Sequence, residues 1–199
     1  MFICNTNAKA LLDETVEELK LYGNIPRTTY RRVLNETLGR LYSEVVYEVR
    51  EVAGKSVSGN ITLSSLPLAA DSGSVREEDV LRVCHSGHQL QYLPPHRFSL
   101  VSNSDGEFYT VRNGSISLSP SFSGYSLQVF YVHRPRPYSE GDEGRMLPMP
   151  EEYVSLVRAK LRGEIYKLAN EDALSAKWLG EYNATLPAFA AYCRRVKGG

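Results

Sequence analysis

No stretch of this sequence is apolar for the roughly 20 consecutive residues that a bilayer-spanning helix needs, so a protein anchored that way is not expected. The opening residues, Met1-Phe2-Ile3-Cys4-Asn5-Thr6-Asn7, hold neither a basic segment nor a long apolar one, which argues against a signal peptide. Net charge is lacking too, with 23 Lys and Arg against 23 Asp and Glu. A protein that lives by gripping phosphate backbones needs a basic excess or stripe. Zero net charge also protects poorly against self-association, which suits a subunit of an assembly. Cysteine is scarce. Cys4, Cys84 and Cys193 are odd in number and far apart, and predict reduced thiols in a cytoplasmic product. Without a signal peptide, the Asn-x-Ser/Thr sites at Asn35, Asn60, Asn113 and Asn183 read as chance.

The signatures of catalysis are missing as well. There is no Gly-x-Ser-x-Gly elbow, no Gly-x-x-x-x-Gly-Lys loop, no Gly-x-Gly-x-x-Gly after a strand, and no Cys-x-x-Cys pair. Cys84-His85-Ser86-Gly87-His88 is the one cluster of metal-ligand residue types. A zinc site would need further ligands, and the other thiols lie at opposite ends of the chain. These histidines therefore read as exposed turn residues. The acidic residues share helix faces with Arg and Lys at helical spacing, the pattern of a solvated surface. No catalytic residue, metal or cofactor is expected, and the chain reads as a non-enzyme.

What is present is a long helical pattern near the end. Tyr153, Val157, Leu161, Ile165 and Leu168 recur at three- and four-residue steps, and Leu174, Trp178, Tyr182, Leu186, Phe189 and Cys193 do so after a polar break at Asn170-Glu171-Asp172. Pro150 and two glutamates mark the start, and Arg194, Arg195 and Lys197 the end. Two stripes so close together predict a helical hairpin. Ala8–Tyr22 reads as a first helix and Thr29–Val52 as a second, the latter on a stripe from Tyr30 to Val49. Between the pairs the period drops to two. Strands are predicted at Ile61–Leu66, Val80–His85, Gln89–Leu93, Arg97–Val101, Phe108–Arg112, Ser115–Leu118 and Tyr125–His133, with turns at Ser104-Asp105-Gly106 and Asn113-Gly114.

The expected fold class is α+β: a four-helix core from N- and C-terminal helical pairs, with an inserted small antiparallel β-sandwich or barrel module. The helical domain is placed at 1–54 and 147–199, the β-module at 57–134, and a linker rich in Pro and Gly at 135–146. Tyr is plentiful, thirteen against six Phe, and Tyr suits surfaces that are apolar on one side and wet on the other. Tyr92, Tyr109, Tyr125 and Tyr138 are the candidate subunit-interface residues.

This order of elements resembles the head-to-tail adaptor (connector) proteins of tailed bacteriophages. The resemblance rests on the two leading helices, on Gly114-Ser115-Ile116-Ser117-Leu118-Ser119-Pro120 and Tyr125-Ser126-Leu127-Gln128-Val129-Phe130-Tyr131 closing the β-module, on Leu147-Pro148-x-Pro150-Glu151-Glu152-Tyr153 opening the hairpin, and on Ala173, Ala176-Lys177-Trp178 and Tyr182 in the last helix. It covers nearly the whole chain. It implies a homo-oligomeric ring, dodecameric in such proteins, docked beneath the portal protein in the virion neck. The ring would meet other neck or tail proteins, and DNA would pass through its lumen without sequence-specific binding. No catalytic residue comes with the resemblance. For a subunit of that kind Tyr192, Arg194, Arg195 and Lys197 are the candidate portal-docking residues. The alternatives are a tail-completion or stopper protein, which would be mostly β, and a ligand-binding β-module on a helical stalk. For the latter a single Trp placed in a helix is poor support.

Overall fold

The computed structural model describes residues 4–22, 24–101, 106–119 and 126–197. The chain is an α+β protein in two compact units, Met1–Val46 with Pro137–Gly199, and Tyr47–Arg136.

Helix α1 (Ala8–Leu19) has all four of its leading N–H groups satisfied. Asn7 Oδ1 accepts from Ala10 at 2.7 Å and the Asn7 carbonyl from Leu11 at 3.3 Å, while the carbonyls of Arg145 and Glu143 accept from Ala8 at 3.1 Å and Lys9 at 2.8 Å. Part of the stretch read as a linker is therefore the cap of the first helix. Helix α2 (Arg27–Leu41) follows Pro26 and runs into a π turn, Tyr42–Val46. The expected helix to Val52 ends here. Tyr47 takes a left-handed conformation, φ 44°, and the chain leaves as strand β1 (Val49–Lys55). Val46, Val49 and Val52 fit a helical stripe and a strand equally well, and cross-strand pairing decides for the β form.

That pairing organises the second unit. β1 lies antiparallel to β8 (Ser126–Val132) from Val49↔Val132 to Lys55↔Ser126. β2 (Asn60–Thr62), β3 (Val80–His85), β4 (His88–Gln89), β5 (Gln91–Tyr92), β6 (Phe108–Arg112) and β7 (Ser115–Ser119) complete two four-stranded sheets, ordered β1-β8-β3-β4 and β2-β7-β6-β5. Val52, Val83, Leu127 and Val129 from one sheet and Ile61, Tyr109, Ile116 and Leu118 from the other fill a single core, so the module is a small sandwich. The expected single strand at Gln89–Leu93 is interrupted at buried Leu90, whose N–H bonds the Val83 carbonyl at 2.9 Å, and the chain changes sheets there. β5 then runs parallel to β6, so one sheet is mixed and not purely antiparallel. The strand expected at Arg97–Val101 is not formed. Helix α3 (Pro95–Phe98) takes its beginning, because Pro95 in the first turn has φ preset for a helix. Asn113 and Gly114, φ 50° and 69°, form the two-residue turn between β6 and β7. The expected turn residues Ser104 and Asp105 lie outside the described residues.

In the first unit Pro150 precedes a single 3-10 turn, Glu151–Tyr153, that leads into helix α4 (Val154–Leu168). Asn170, φ 61°, reverses the chain into helix α5 (Asp172–Lys197). Leu11, Leu12, Leu34, Leu38, Leu156, Leu161, Ile165 and Phe189, drawn from α1, α2, α4 and α5, belong to one apolar cluster. The hairpin's close approach is at Gly163, where a Cβ would stand 2.7 Å from Leu179 Cγ and 3.2 Å from its backbone nitrogen. The Ser175 hydroxyl donates to the Gly163 carbonyl at 2.9 Å in the same place. Pro187 lies inside α5 on its exposed side and can give no N–H to the carbonyl of Asn183.

Gly163→Ala should lower the thermal unfolding midpoint. The better helix propensity of Ala is worth about 1 kcal/mol, but overpacking against Leu179 costs roughly 1–3 kcal/mol and disturbs the Ser175 bond. Leu161→Ala should cost roughly 2–5 kcal/mol at its fully buried position, and Lys160→Ala far less. An unchanged or raised midpoint for Gly163→Ala contradicts the close approach.

Candidate functional site

The candidate tyrosines separate by burial. Tyr138 is a core residue and not a surface one. Its hydroxyl donates to the Met146 carbonyl at 2.8 Å, its N–H to Asn35 Oδ1 at 2.8 Å, and Asn35 Nδ2 donates back to its carbonyl at 3.0 Å. Burial pushes its phenol up to about 12. Tyr109 is buried in the sandwich core, so it cannot meet a partner either; burial raises its pKa. Both rings were legible as amphipathic, but the side on which each lies is set by the fold. Tyr92 is half exposed at the sheet edge with its ring 5.5 Å from that of Tyr109. Tyr125 lies outside the described residues.

At the end of α5, Tyr192 is half-buried. Its ring is 5.3 Å from that of Tyr153, which itself sits 5.0 Å from Phe189. Arg195 lies over the Tyr192 ring at 5.7 Å, and Arg194 and Arg195 are exposed. Lys197 closes the helix. These four positions thus share the last two turns, with the arginines outward and the tyrosine packed inward.

Two charged clusters escaped the sequence reading, because they join segments more than a hundred positions apart. Glu143 is buried and accepts from Arg27 at 2.7 and 3.1 Å and from Arg31 at 2.6 Å. Burial alone would raise its pKa, but the two guanidinium groups bring it below the ordinary glutamate value. Glu151 holds the N-terminal arm. Its Oε1 accepts from Thr6 Oγ1 at 2.6 Å, and its Oε2 from the Asn5 N–H at 2.7 Å, the Thr6 N–H at 3.1 Å and the Cys4 thiol at 3.2 Å. Those bonds, the Thr6 hydroxyl first, lower its carboxyl to about 2.

A third cluster carries Ser, His and Asp together. His133 is buried with Nδ1 3.2 Å from Ser72 Oγ, and Asp71 stands beside them. Both Asp71 oxygens are held by Arg50 at 2.9 Å, and Arg50 also reaches Glu48 at 2.8 Å and Ser72 at 3.2 Å. The acid thus faces a guanidinium, whereas a relay needs it on the imidazole. The cluster ties the loop at Asp71-Ser72 to β1 and the end of β8. Burial, with Arg50 nearby, lowers the His133 pKa, so its contribution to stability is full above the unfolded value of 6.5 and is lost progressively as pH falls below that value and through the lower folded one.

The cysteine–histidine segment is a hairpin. His85 pairs with His88 around Ser86 and Gly87, φ 49° and 82°, with Cys84 buried beneath. Among the described residues there is no group of three or more His, Cys, Asp or Glu placed to hold a metal ion. Cys4, Cys84 and Cys193 are buried and form no disulfide. No helix is long and apolar enough to cross a membrane among the described residues.

The Glu151 anchor has a defined pH signature. A carboxyl lowered from 4.5 to about 2 contributes stability that is complete above pH 4.5 and withdrawn as pH falls toward 2. The difference in unfolding midpoint between wild type and Glu151→Gln should therefore be steady from neutral pH down to about 4.5 and then shrink. A difference that persists at pH 2 would mean that the charge is not its source. Comparison of the chain with models of known protein families and with curated proteins gives no match in either case.

Proposed function

We propose that this chain is a head-to-tail adaptor of a tailed bacteriophage, a ring subunit docked beneath the portal protein that connects capsid to tail and lets DNA pass through its lumen. The ring is dodecameric in this reading, and its other contacts are neck or tail proteins. The observation that carries the reading is the organisation of the chain: two helical segments far apart in sequence share one core, and a β-sandwich is inserted between them.

One of the segments that carry the resemblance is also a structural junction. From Leu147 to Tyr153 it buries Leu147 and Met149, accepts the Tyr42 hydroxyl on the Pro148 carbonyl at 2.7 Å, and holds the N-terminal arm through Glu151. A tail-completion or stopper protein of mostly β fold fits less well, since the longest elements are helices. Arg194, Arg195 and Lys197, beside Tyr192, serve in this reading as the docking end.

The test mixes the purified protein with isolated cognate portals and images the products. Removing the last turns would also remove buried Cys193 from the core, so the comparison uses Arg194→Glu with Arg195→Glu, both at exposed positions. Wild type should form rings on portals and the double variant should decorate far fewer. Wild type that leaves portals bare overturns the adaptor reading. Normal decoration by the variant removes only the docking role of the helix end.

A further inference from the structure

Asn113 and Gly114 form the sequence's one Asn-Gly pair, and both stand exposed in the two-residue turn between β6 and β7. Asparagine is chemically labile, and most so before glycine, whose nitrogen no Cβ shields. That nitrogen can attack the asparagine side-chain carbonyl carbon. Its proton passes to water or hydroxide, the new N–Cγ bond closes a five-membered imide, and ammonia leaves as the Cγ–Nδ2 bond breaks. Water then opens the ring at either of its two carbonyls. Opening at Cγ leaves an aspartate at position 113. Opening at the backbone carbonyl leaves an isoaspartate, in which the main chain runs through the former side chain. The balance is water taken up and ammonia released, with no oxidant or reductant.

The fold leaves this turn open to water and yet holds the attacking nitrogen. Among the described residues no atom lies within 4 Å of the place a Gly114 Cβ would take. The Gly114 N–H, however, donates to Oε1 of Glu77 at 2.6 Å. Glu77 opens the 3-10 turn Glu77–Asp79, whose last residue is buried and paired with Arg134 at 2.8 Å, so the acceptor sits on an anchored segment. The next peptide is held as well, since the Gly114 carbonyl accepts from the N–H of buried Leu63 at 2.9 Å. Ring closure requires the Asn113–Gly114 peptide plane to rotate about the Asn113 Cα–C bond until the nitrogen faces Cγ. That rotation takes the N–H off Glu77. A reactive pair is thus displayed at the surface with its nucleophile pinned from a segment 37 positions away in the chain.

We infer that Asn113 is a site of spontaneous deamidation in this protein, and that Glu77 restrains the reaction by holding the Gly114 N–H. Glu77 is a positioning residue here, because it acts on the geometry of the attack and not on the carbonyl attacked. The product matters to the fold. An isoaspartate adds a backbone carbon to the turn that sets the pairing of β6 with β7, from Phe108↔Ser119 to Arg112↔Ser115. The inference does not rest on the adaptor reading, and its test involves no portal.

The experiment incubates the full chain in mildly alkaline buffer, folded and in urea, and follows the aspartate and isoaspartate products at position 113 by peptide mapping. Wild type, Glu77→Ala and Glu77→Gln are compared. In urea all three should deamidate at Asn113 at the same rate, faster than folded wild type. Folded Glu77→Ala should deamidate about threefold faster than folded wild type or more, the loss of one modest hydrogen bond. Glu77→Gln keeps a carbonyl acceptor at the same reach and should be slower than Glu77→Ala. A role in stability alone would not give this order when thermal midpoints match, and Glu77 is exposed, so they should. Hydrogen exchange on wild type supplies a reading that needs no variant: the Gly114 amide should exchange more slowly folded than in urea, although its residue is exposed. Folded wild type as fast as in urea, a Glu77→Ala variant no faster than wild type, a Glu77→Gln variant as fast as Glu77→Ala, or an unprotected Gly114 amide each overturn the inference.

Discussion

The antiparallel pairing of β1 with β8 is the constraint on which the rest depends. By bringing Val49 beside Val132 it makes the inserted sandwich begin and end at one place. The His133 N–H extends the contact to the Glu48 carbonyl at 2.7 Å, and the Arg136 N–H bonds the Asp71 carbonyl at 2.8 Å. A long insertion closed in this way behaves as a short connection between α2 and the segment that begins at Pro137. Without it, the apolar stripe of α2 and that of α4 would have to find each other across a long loop, at an entropic cost that rises with loop length.

Charge in this protein is used mainly to fix which distant segments meet. Exposed ion pairs such as Arg32–Glu36 are worth little. The pairs that matter are partly or wholly buried: Glu143 with Arg27 and Arg31, Asp79 with Arg134 at 2.8 Å, and Arg162 of α4 with Glu18 of α1. Each joins elements well separated in sequence. Breaking one strands a charge in a poorly solvated place, so such pairs penalise wrong arrangements more than they reward the right one. Arg194 and Arg195, by contrast, stand exposed at one helix end.

Two of the clusters described above tie together segments that are distant in sequence. Ser72, His133 and Asp71 are catalytic residue types, yet Arg50 occupies the acid and the imidazole is buried. Cys84, His85 and His88 shape a tight hairpin. Glu151, on the exposed 3-10 turn before α4, fastens the N-terminal arm through four donors.

The features that sequence alone determined are those governed by near neighbours. The α1 stripe, the hairpin of α4 and α5 broken at Asn170, and the Asn113-Gly114 turn follow from periodicity and from residues that tolerate positive φ. The α+β character followed from the change of period between them. Tertiary structure decided wherever two local forms were nearly equal in energy or where a partner lay far along the chain. Val49–Lys55 carries valines at spacings that suit a helix or a strand, and only pairing with β8 selects the strand. Leu90 breaks a run of strand residues because the core between the two sheets accepts its side chain. Tyr109 and Tyr138 could have been surface rings, and packing put them inside. Glu143 could have been an ordinary surface acid, and Arg27 and Arg31 made it a buried one. Burial and long-range pairing depend on what the rest of the chain brings to a point, and no local pattern carries that information.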